Sequence, residues 1–400
     1  LGVARLLDQI TSTTDINTTH ITDESPTGIR HSTPETEEIK GLGISAVNQN
    51  SIYTVGIGGG FSSGSVGVAV TGSITVGTIT TEAFIADTAK INETNDNAGS
   101  EQSVLVAAAN DWSNFNLIGS AGGSQNASVG GAVDLNAVVM QTTAFIGDST
   151  TVNVNGDVIV RANAIEDSFS LTAGLAVTTG DGAAVAGAFS FLFLKGDTTA
   201  YIGDNARVFA GGNVLVQAAD RTDGDILSGQ GSFGAQSAGV GGSFAVTPIV
   251  KDTEAYIGQG AQVTALGNSN STIAVVDGDW NDNDPSTKDV KGLGVQALSK
   301  ENLFTATVSG AGGKSYVNVA GAISATAVRS TTSAHVAENV QINKDNTGAG
   351  SEQSVNIAAT NDVDLLTVDG SLSIARNKVG QVADDAPIRY SFTAEPAFNL

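Results

Sequence analysis

Hydrophobic and polar residues alternate with a period of two along most of the chain. Clear examples are 66–76 (VGVAVTGSITV) and 212–219 (GNVLVQAA), in which apolar side chains recur at every second position. This period places alternate side chains on the two faces of a β-strand. Helical periodicity is nearly absent, and only 4–10 indicates one short helical turn. The pattern therefore predicts an all-β protein.

A short motif recurs along the chain and divides it into repeats. Its copies are AFIAD (83–87), AFIGD (144–148), AYIGD (200–204), AYIGQ (255–259) and AHVAE (334–338). Successive copies are 61, 56, 55 and 79 residues apart. A strand-like run and a Gly/Ala-rich pair of alternating segments separate one copy from the next. The chain is therefore built from repeats of about 55 residues.

The chain also repeats itself on a longer scale, at an offset of 251 residues without a gap. Residues 40–111 and 291–362 share 30 identities in 72 positions, beginning with KGLG in both copies. This indicates a tandem duplication. It predicts three segments: a polar or partial repeat at 1–39, a first 251-residue unit at 40–290, and a second, truncated unit at 291–400.

Repeats of this length predict a parallel β-helix, or β-solenoid. We expect two or three coils of about 20 to 28 residues in each repeat, hence about 16 coils and a rod about 75 Å long. The Gly/Ala-rich pairs, such as 168–177 and 183–194, allow two interpretations. They are either β-hairpins or successive faces of one coil. The coil is favoured because a stacked solenoid removes the open edges that isolated hairpins would leave.

Polar insertions recur in both units and should leave the solenoid as loops. The longer one lies just before KGLG, at 22–40 and at 267–290, and a shorter one lies at 92–102 and at 343–353. Because insertions in solenoids map to one face and often carry binding, they are the first places to look for a specific contact.

The insertion before the second KGLG contains the acidic run DGDWNDND. Its carboxylates are hard oxygen ligands of the kind that Ca²⁺ prefers. The run departs from the helix-loop-helix calcium pattern, since Lys288 stands where that loop needs a bidentate Glu. A solvated acidic loop is the alternative. The predicted calcium ligands are Asp277, Asp279, Asp282 and Asp284.

The composition narrows the possible partners. The formal net charge is −23, which disfavours nucleic acid and anionic lipid surfaces as partners. The absence of cysteine excludes disulfides and thiolate metal sites. No apolar run approaches the roughly 18 residues of a membrane helix, so membrane insertion is not expected. The sequence starts at Leu1 in mid-pattern, as expected for a piece of a longer protein.

Residues for acid–base catalysis are few and dispersed, so we expect no catalysis and no cofactor other than calcium. A remote alternative is a carbohydrate-active β-helix enzyme, which would need carboxylates and basic residues together in a groove. Trp112 is interpreted as packing and Trp280 as an exposed contact for sugar. The dispersed histidines and basic residues are His20, His31, His335, Arg161, Lys195, Arg207, Arg221 and Lys251.

The repeats resemble those of large filamentous adhesins, most clearly at 200–219 and 239–249. They are similar to the leukotoxin-type filamentous adhesins and hemagglutinin-like passengers of Gram-negative bacteria. The resemblance implies a β-solenoid stalk, secretion to the bacterial cell surface, and a role in adhesion or biofilm. Its expected partners are the chain itself, in a filament or through neighbouring repeats, or glycans or proteins of host and cell surfaces. The expected function is an extracellular structural or adhesive segment; the alternative is a self-assembling filament or sheath protomer.

Overall fold

The computed structural model describes residues 40–95, 98–281, 284–314, 317–375, 390–393 and 398–399. Within these ranges the chain forms β-strands and no helix, as the period of two predicts. The predicted segment 1–39, the helical turn at 4–10, His20 and His31 lie outside the described residues.

Long strands alternate between two parallel sheets, and short strands form a third. Sheet A contains β1 (Gly41–Ser62), β4 (Ser103–Ser124), β7 (Val158–Thr178), β10 (Val214–Gly234), β14 (Asp284–Gly313) and β17 (Gln353–Ala375). Sheet B contains β2 (Val66–Ile85), β5 (Ala127–Ile146), β8 (Ala184–Ile202), β11 (Gly239–Ile257) and β15 (Val319–Val336). Sheet C contains β3 (Lys90–Ile91), β6 (Thr151–Val154), β9 (Arg207–Ala210), β12 (Gln262–Ala265) and β16 (Gln341–Ile342). The other strands are β13 (Ile273–Asn281), β18 (Tyr390–Thr393) and β19 (Phe398–Asn399).

Each repeat of about 55 residues is a single coil, with one strand in each sheet. Every long strand pairs in parallel with its counterpart in the next repeat; β4, for example, pairs with β1 on one side and β7 on the other. The prediction of two or three coils per repeat is therefore wrong, as is the count of about 16 coils. Five coils run from β1 to β16, and β17 starts a sixth. At about 4.8 Å per coil these span only about 25 Å, whereas a 20-residue strand is about 65 Å long.

The parallel β-solenoid and its coil arrangement are confirmed. β7 and β8, which carry the ambiguous Gly/Ala-rich pair, lie in different sheets and do not pair as a hairpin. β8 instead pairs in parallel with β5 and β11. Since the strands continue through glycine and serine positions, each repeat has only three corners.

Inward-facing side chains form two main apolar clusters between the sheets, besides a small one of Ala176, Ala184 and Ala186. The larger one fills the end of the coil where all three sheets meet, with columns such as Val104, Val158 and Val214 stacked from coil to coil. The second lies midway along the long strands around Trp112, which is fully buried. The interpretation of Trp112 as packing is therefore confirmed.

The insertion before the second KGLG is not simply a loop. β13 pairs antiparallel with the first part of β14, and this hairpin packs on the outer face of sheet A. Ile273 and Val275 bury against Leu215, while the Gln296 amide group donates to the Ala274 carbonyl and accepts from the Val276 N–H. The apolar half of the insertion, IAVV at 273–276, explains this packing, since its side chains leave water.

Candidate functional site

The recurring motif forms a corner of the coil, and each of its positions has a distinct role. In the second copy, Ala144 and Ile146 face inward and are fully buried, whereas Phe145 faces outward. The outward rings of successive copies stack nearly parallel, with centroids 4.8–5.3 Å apart. This aromatic ladder consists of Phe84, Phe145, Tyr201, Tyr256 and His335.

The Gly-Asp pair of the motif locks each corner to the next coil. Asp148 Oδ1 accepts the Asp204 backbone N–H at 2.8 Å, and Asp204 Oδ1 accepts the Gln259 N–H at 2.7 Å. A Cβ at Gly203 would lie 2.4 Å from Asp148 Oδ1, so only glycine fits above an aspartate. The last copy has Ala337 at this position, and its preceding coil has Gln259 in place of the aspartate. The motif is thus explained by contacts between coils.

A charged cluster is enclosed between sheets A and B, and its Glu166 occupies the position that Trp112 has in the preceding coil. Lys251 donates to Glu166 Oε2 at 2.5 Å and to Asp220 Oδ1 at 2.7 Å, and all three side chains are fully buried. Thr198 donates to Asp220 and Thr222 donates to Glu166. Burial, and then the nearby charge of Asp220, raise the pKa of Glu166 to about 8, although Lys251 opposes this shift.

Glu301 extends this cluster into the next coil. Its carboxyl group accepts from the Ser299 and Ser330 hydroxyls at 2.7 and 2.8 Å. Burial raises the pKa of Glu301 as well. Because Lys251, Glu166 and Asp220 are fully enclosed, the cluster bonds the two sheets across the core and presents no surface to an external molecule.

The sequence interpretation missed this cluster, because it treated Lys251 as one of several dispersed basic residues. Two signals were present. Lys251 lies an even number of residues from Ile249 and Ala255 on β11, so its side chain faces inward as theirs do. Its neighbour in the preceding coil is Gly196, where a Cβ would lie 2.5 Å from Lys251 Nζ. A lysine at an inward position beside a glycine indicates a side chain folded into the space that the glycine leaves.

Three of the predicted calcium ligands, Asp277, Asp279 and Asp284, lie toward the tip of the hairpin. Asp277 is exposed and accepts a hydrogen bond from the Ser286 hydroxyl. Asp279 and Asp284 lie on β13 and β14, and Asp282 lies outside the described residues. Among the described residues, no three His, Cys, Asp or Glu side chains form a metal-binding group. Calcium binding by the run as a whole stays a prediction.

The other candidate residues are separated in space. His335 ends the aromatic ladder, with its Nδ1 3.7 Å from a Glu254 carboxylate oxygen. Arg161 donates to Gln217 on the outer side of sheet A, and Lys195 pairs with Asp197 on the outer side of sheet B. Trp280 lies on β13.

The outer face of sheet B is largely apolar, and part of the interior behind it is polar. On β8, Phe189, Phe191 and Phe193 face outward, while Ser190 faces inward and is fully buried. The neighbouring β5 buries Asp134, which accepts from Asn116, Asn136 and Ser170. Several outward residues on this face are more than one-third exposed, and they include Val68, Val70, Ile74, Val185, Val240, Phe244 and Ile323.

Two further observations bear on function. Within the part of the chain that the structure describes, no helix has the length and apolar character needed to cross a membrane. Comparison of the chain with protein-family models, curated proteins and solved structures finds no match.

Proposed function

We propose that this chain is an extracellular structural and adhesive segment, the stalk or passenger of a bacterial surface adhesin, without catalysis. The observation that supports this proposal is the stacking of one repeat per coil in continuous register. Such a stack adds a fixed rise and the same outward columns with every repeat. Length and a repetitive outer face are what a surface stalk requires.

The outer apolar columns are the part of this surface suited to contact. Neighbouring exposed apolar side chains mark surfaces that bind other molecules. The partners we propose are proteins or glycans of host and cell surfaces, outside the bacterial cell. The acidic charge keeps the remaining surface soluble and disfavours nucleic acid.

A filament protomer is the second candidate, and the first coil favours it. Among the described residues, β1 pairs with β4 on one edge only, and Ile57 and Phe61 on its outer side are about four-fifths exposed. An open strand of 22 residues is a template for pairing with another chain.

Electron microscopy and analytical ultracentrifugation of the purified chain separate the two candidates. The adhesin segment predicts discrete particles that sediment as one species over a wide concentration range. Ordered fibres would overturn that ranking in favour of the filament protomer.

Adhesion is tested separately, with beads that carry the folded chain. These beads should be retained on protein- or glycan-coated surfaces more strongly than beads carrying the heat-denatured chain. Equal retention of both would contradict the adhesive part of the proposal.

A further inference from the structure

The aromatic ladder presents a continuous apolar band on the outer surface of the solenoid. Adjacent rings are tilted by only 2–9°, so each ring covers the face of its neighbour and only the ring edges remain accessible. Phe84 is 44% exposed, Tyr201 and Tyr256 are half-buried, and His335 is exposed. Five rings at these spacings form a band roughly 20 Å long, parallel to the stacking direction of the coils.

Carboxylates border this band on both sides. Two positions before the ring, the five copies have Glu82, Thr143, Thr199, Glu254 and Ser333. Three positions after the ring they have Asp87, Asp148, Asp204, Gln259 and Glu338. Six of these ten positions are acidic, and none of them holds Lys or Arg.

The carboxylates act on the rings themselves. Partial burial, followed by the charges of Asp148, Asp87 and Glu82, raises the pKa of the Tyr201 phenol. Burial raises the pKa of Tyr256 to about 12, with contributions from Tyr201, Glu254 and nearby aspartates. The negative potential therefore extends over the apolar band.

Stacking between coils explains the rings and, in part, the corner aspartates. It does not explain Glu82, which faces outward beside the rings and adds like charge to an already acidic surface. Glu254 also faces outward, and one of its carboxylate oxygens lies 3.7 Å from His335 Nδ1 in the next coil. A ligand that combines a flat apolar body with positive charge would be recognised by both features together.

We propose that the aromatic ladder and its flanking carboxylates form a binding site for elongated, flat aromatic cations. The ligand's flat body lies along the ring edges, where it removes apolar area from water, and its charge lies near the glutamates. An extended peptide repeats same-side residues every 6.6 Å or so, which does not match a 4.8–5.3 Å ladder. A rigid flat body needs no such match.

Thioflavin T, a flat benzothiazole cation, is the probe for this site. Titration of the full chain, followed by fluorescence and calorimetry, should show saturable binding that weakens as salt is raised. The double variant Y201T/Y256T should lower the affinity at least tenfold. The double variant E82Q/E254Q should lower it about three- to tenfold at low salt and reduce the salt dependence.

F115T is the matched control, because it removes an outward ring from a separate stack on sheet A, between Tyr53 and Phe169. This variant should bind the dye as the unaltered chain does. Circular dichroism and elution volume identify the variants that remain folded. E82Q/E254Q changes only surface positions, so it still tests the proposal if Y201T/Y256T does not fold. Unaltered dye binding by a folded E82Q/E254Q or Y201T/Y256T variant would overturn the proposal, as would equal binding of an uncharged benzothiazole of the same shape.

Discussion

At the scale of single residues, Lys251 is the side chain on which the core depends most. Taking a charge out of water is costly, and Lys251 offsets that cost for Asp220 through a bond of 2.7 Å. Lys251 also donates to Glu166 at 2.5 Å. Glu166 Oε1 and Glu301 Oε2 are buried and have no hydrogen-bond partner among the described residues, so the cluster is only partly compensated. It therefore specifies how coils three to five align and makes their stability sensitive to each member.

Replacement of Lys251 by methionine should lower the free energy of unfolding by about 3–5 kcal/mol, because Asp220 would remain buried without a cation. Chemical denaturation of the purified chain measures this loss. The control is K195M, which removes a lysine from a half-exposed pair with Asp197 and should cost about 0–1 kcal/mol. Equal effects of the two variants would contradict the assigned role of Lys251.

The raised pKa of Glu166 predicts that stability depends on pH. Between pH 4.5 and about 8, the folded chain holds a proton on Glu166 that the unfolded chain has released. The free energy of unfolding should therefore fall as pH rises through this window, by at most about 1.4 kcal/mol per pH unit from this group. Denaturation at a series of pH values should show a shallower fall for E166Q. A variant with an unchanged slope would place the titrating proton elsewhere, since Glu301 contributes in the same direction.

At the scale of elements, the alternation of apolar and polar residues predicts that strands form. It does not predict how long they are or which of their two faces points to the core. Strands of about 20 residues are far longer than the usual five or six, so the glycines within them look like turns in the sequence. On β8 both parities are largely apolar, with Phe189 and Phe191 outward and Leu192 and Leu194 inward. The pattern therefore cannot assign the inner face, and only the coil-to-coil register does so.

The candidate sites also differ in how far the sequence predicts them. The motif copies identify the aromatic column from the sequence, because equivalent positions in successive coils must stack. The Lys251 cluster joins residues from β7, β10 and β11, whose proximity depends on how sheets A and B face each other. The spacing of residues along the sequence does not show which parts of the two sheets lie opposite each other.

Calcium binding is the prediction that belongs to the hairpin. Millimolar calcium should raise the thermal midpoint of the chain, since an ion bound only by the folded state stabilises it. The variant D277N/D279N should reduce this shift, whereas N281A, which changes no charge in the same run, should retain more of it. Absence of any shift at millimolar calcium in the unaltered chain would rule out the predicted site.

At the scale of the whole molecule, the duplication provides an internal comparison. Residues 251 positions apart occupy the same place in a coil but have different neighbours. β14 lies between β10 and β17, whereas β1 pairs with β4 alone within the part of the chain that the structure describes. Ile44 on β1 is half-buried, and its equivalent Val295 on β14 is fully buried. In a stack stabilised by nearest neighbours, a coil held on one edge should open more readily than one held on both.

Hydrogen exchange can test this difference within one sample. Backbone amides of β14 should exchange at least tenfold more slowly than those of β1, which corresponds to about 1.4 kcal/mol of additional opening free energy. Mass spectrometry of peptides from 41–62 and 292–313 measures both at once, and equal protection in dilute solution would contradict the nearest-neighbour model. The concentration dependence adds a second result: if copies pair along the open edge of β1, its protection should rise with protein concentration while that of β14 stays constant. The same measurement thus tests whether copies of the chain pair with one another through β1.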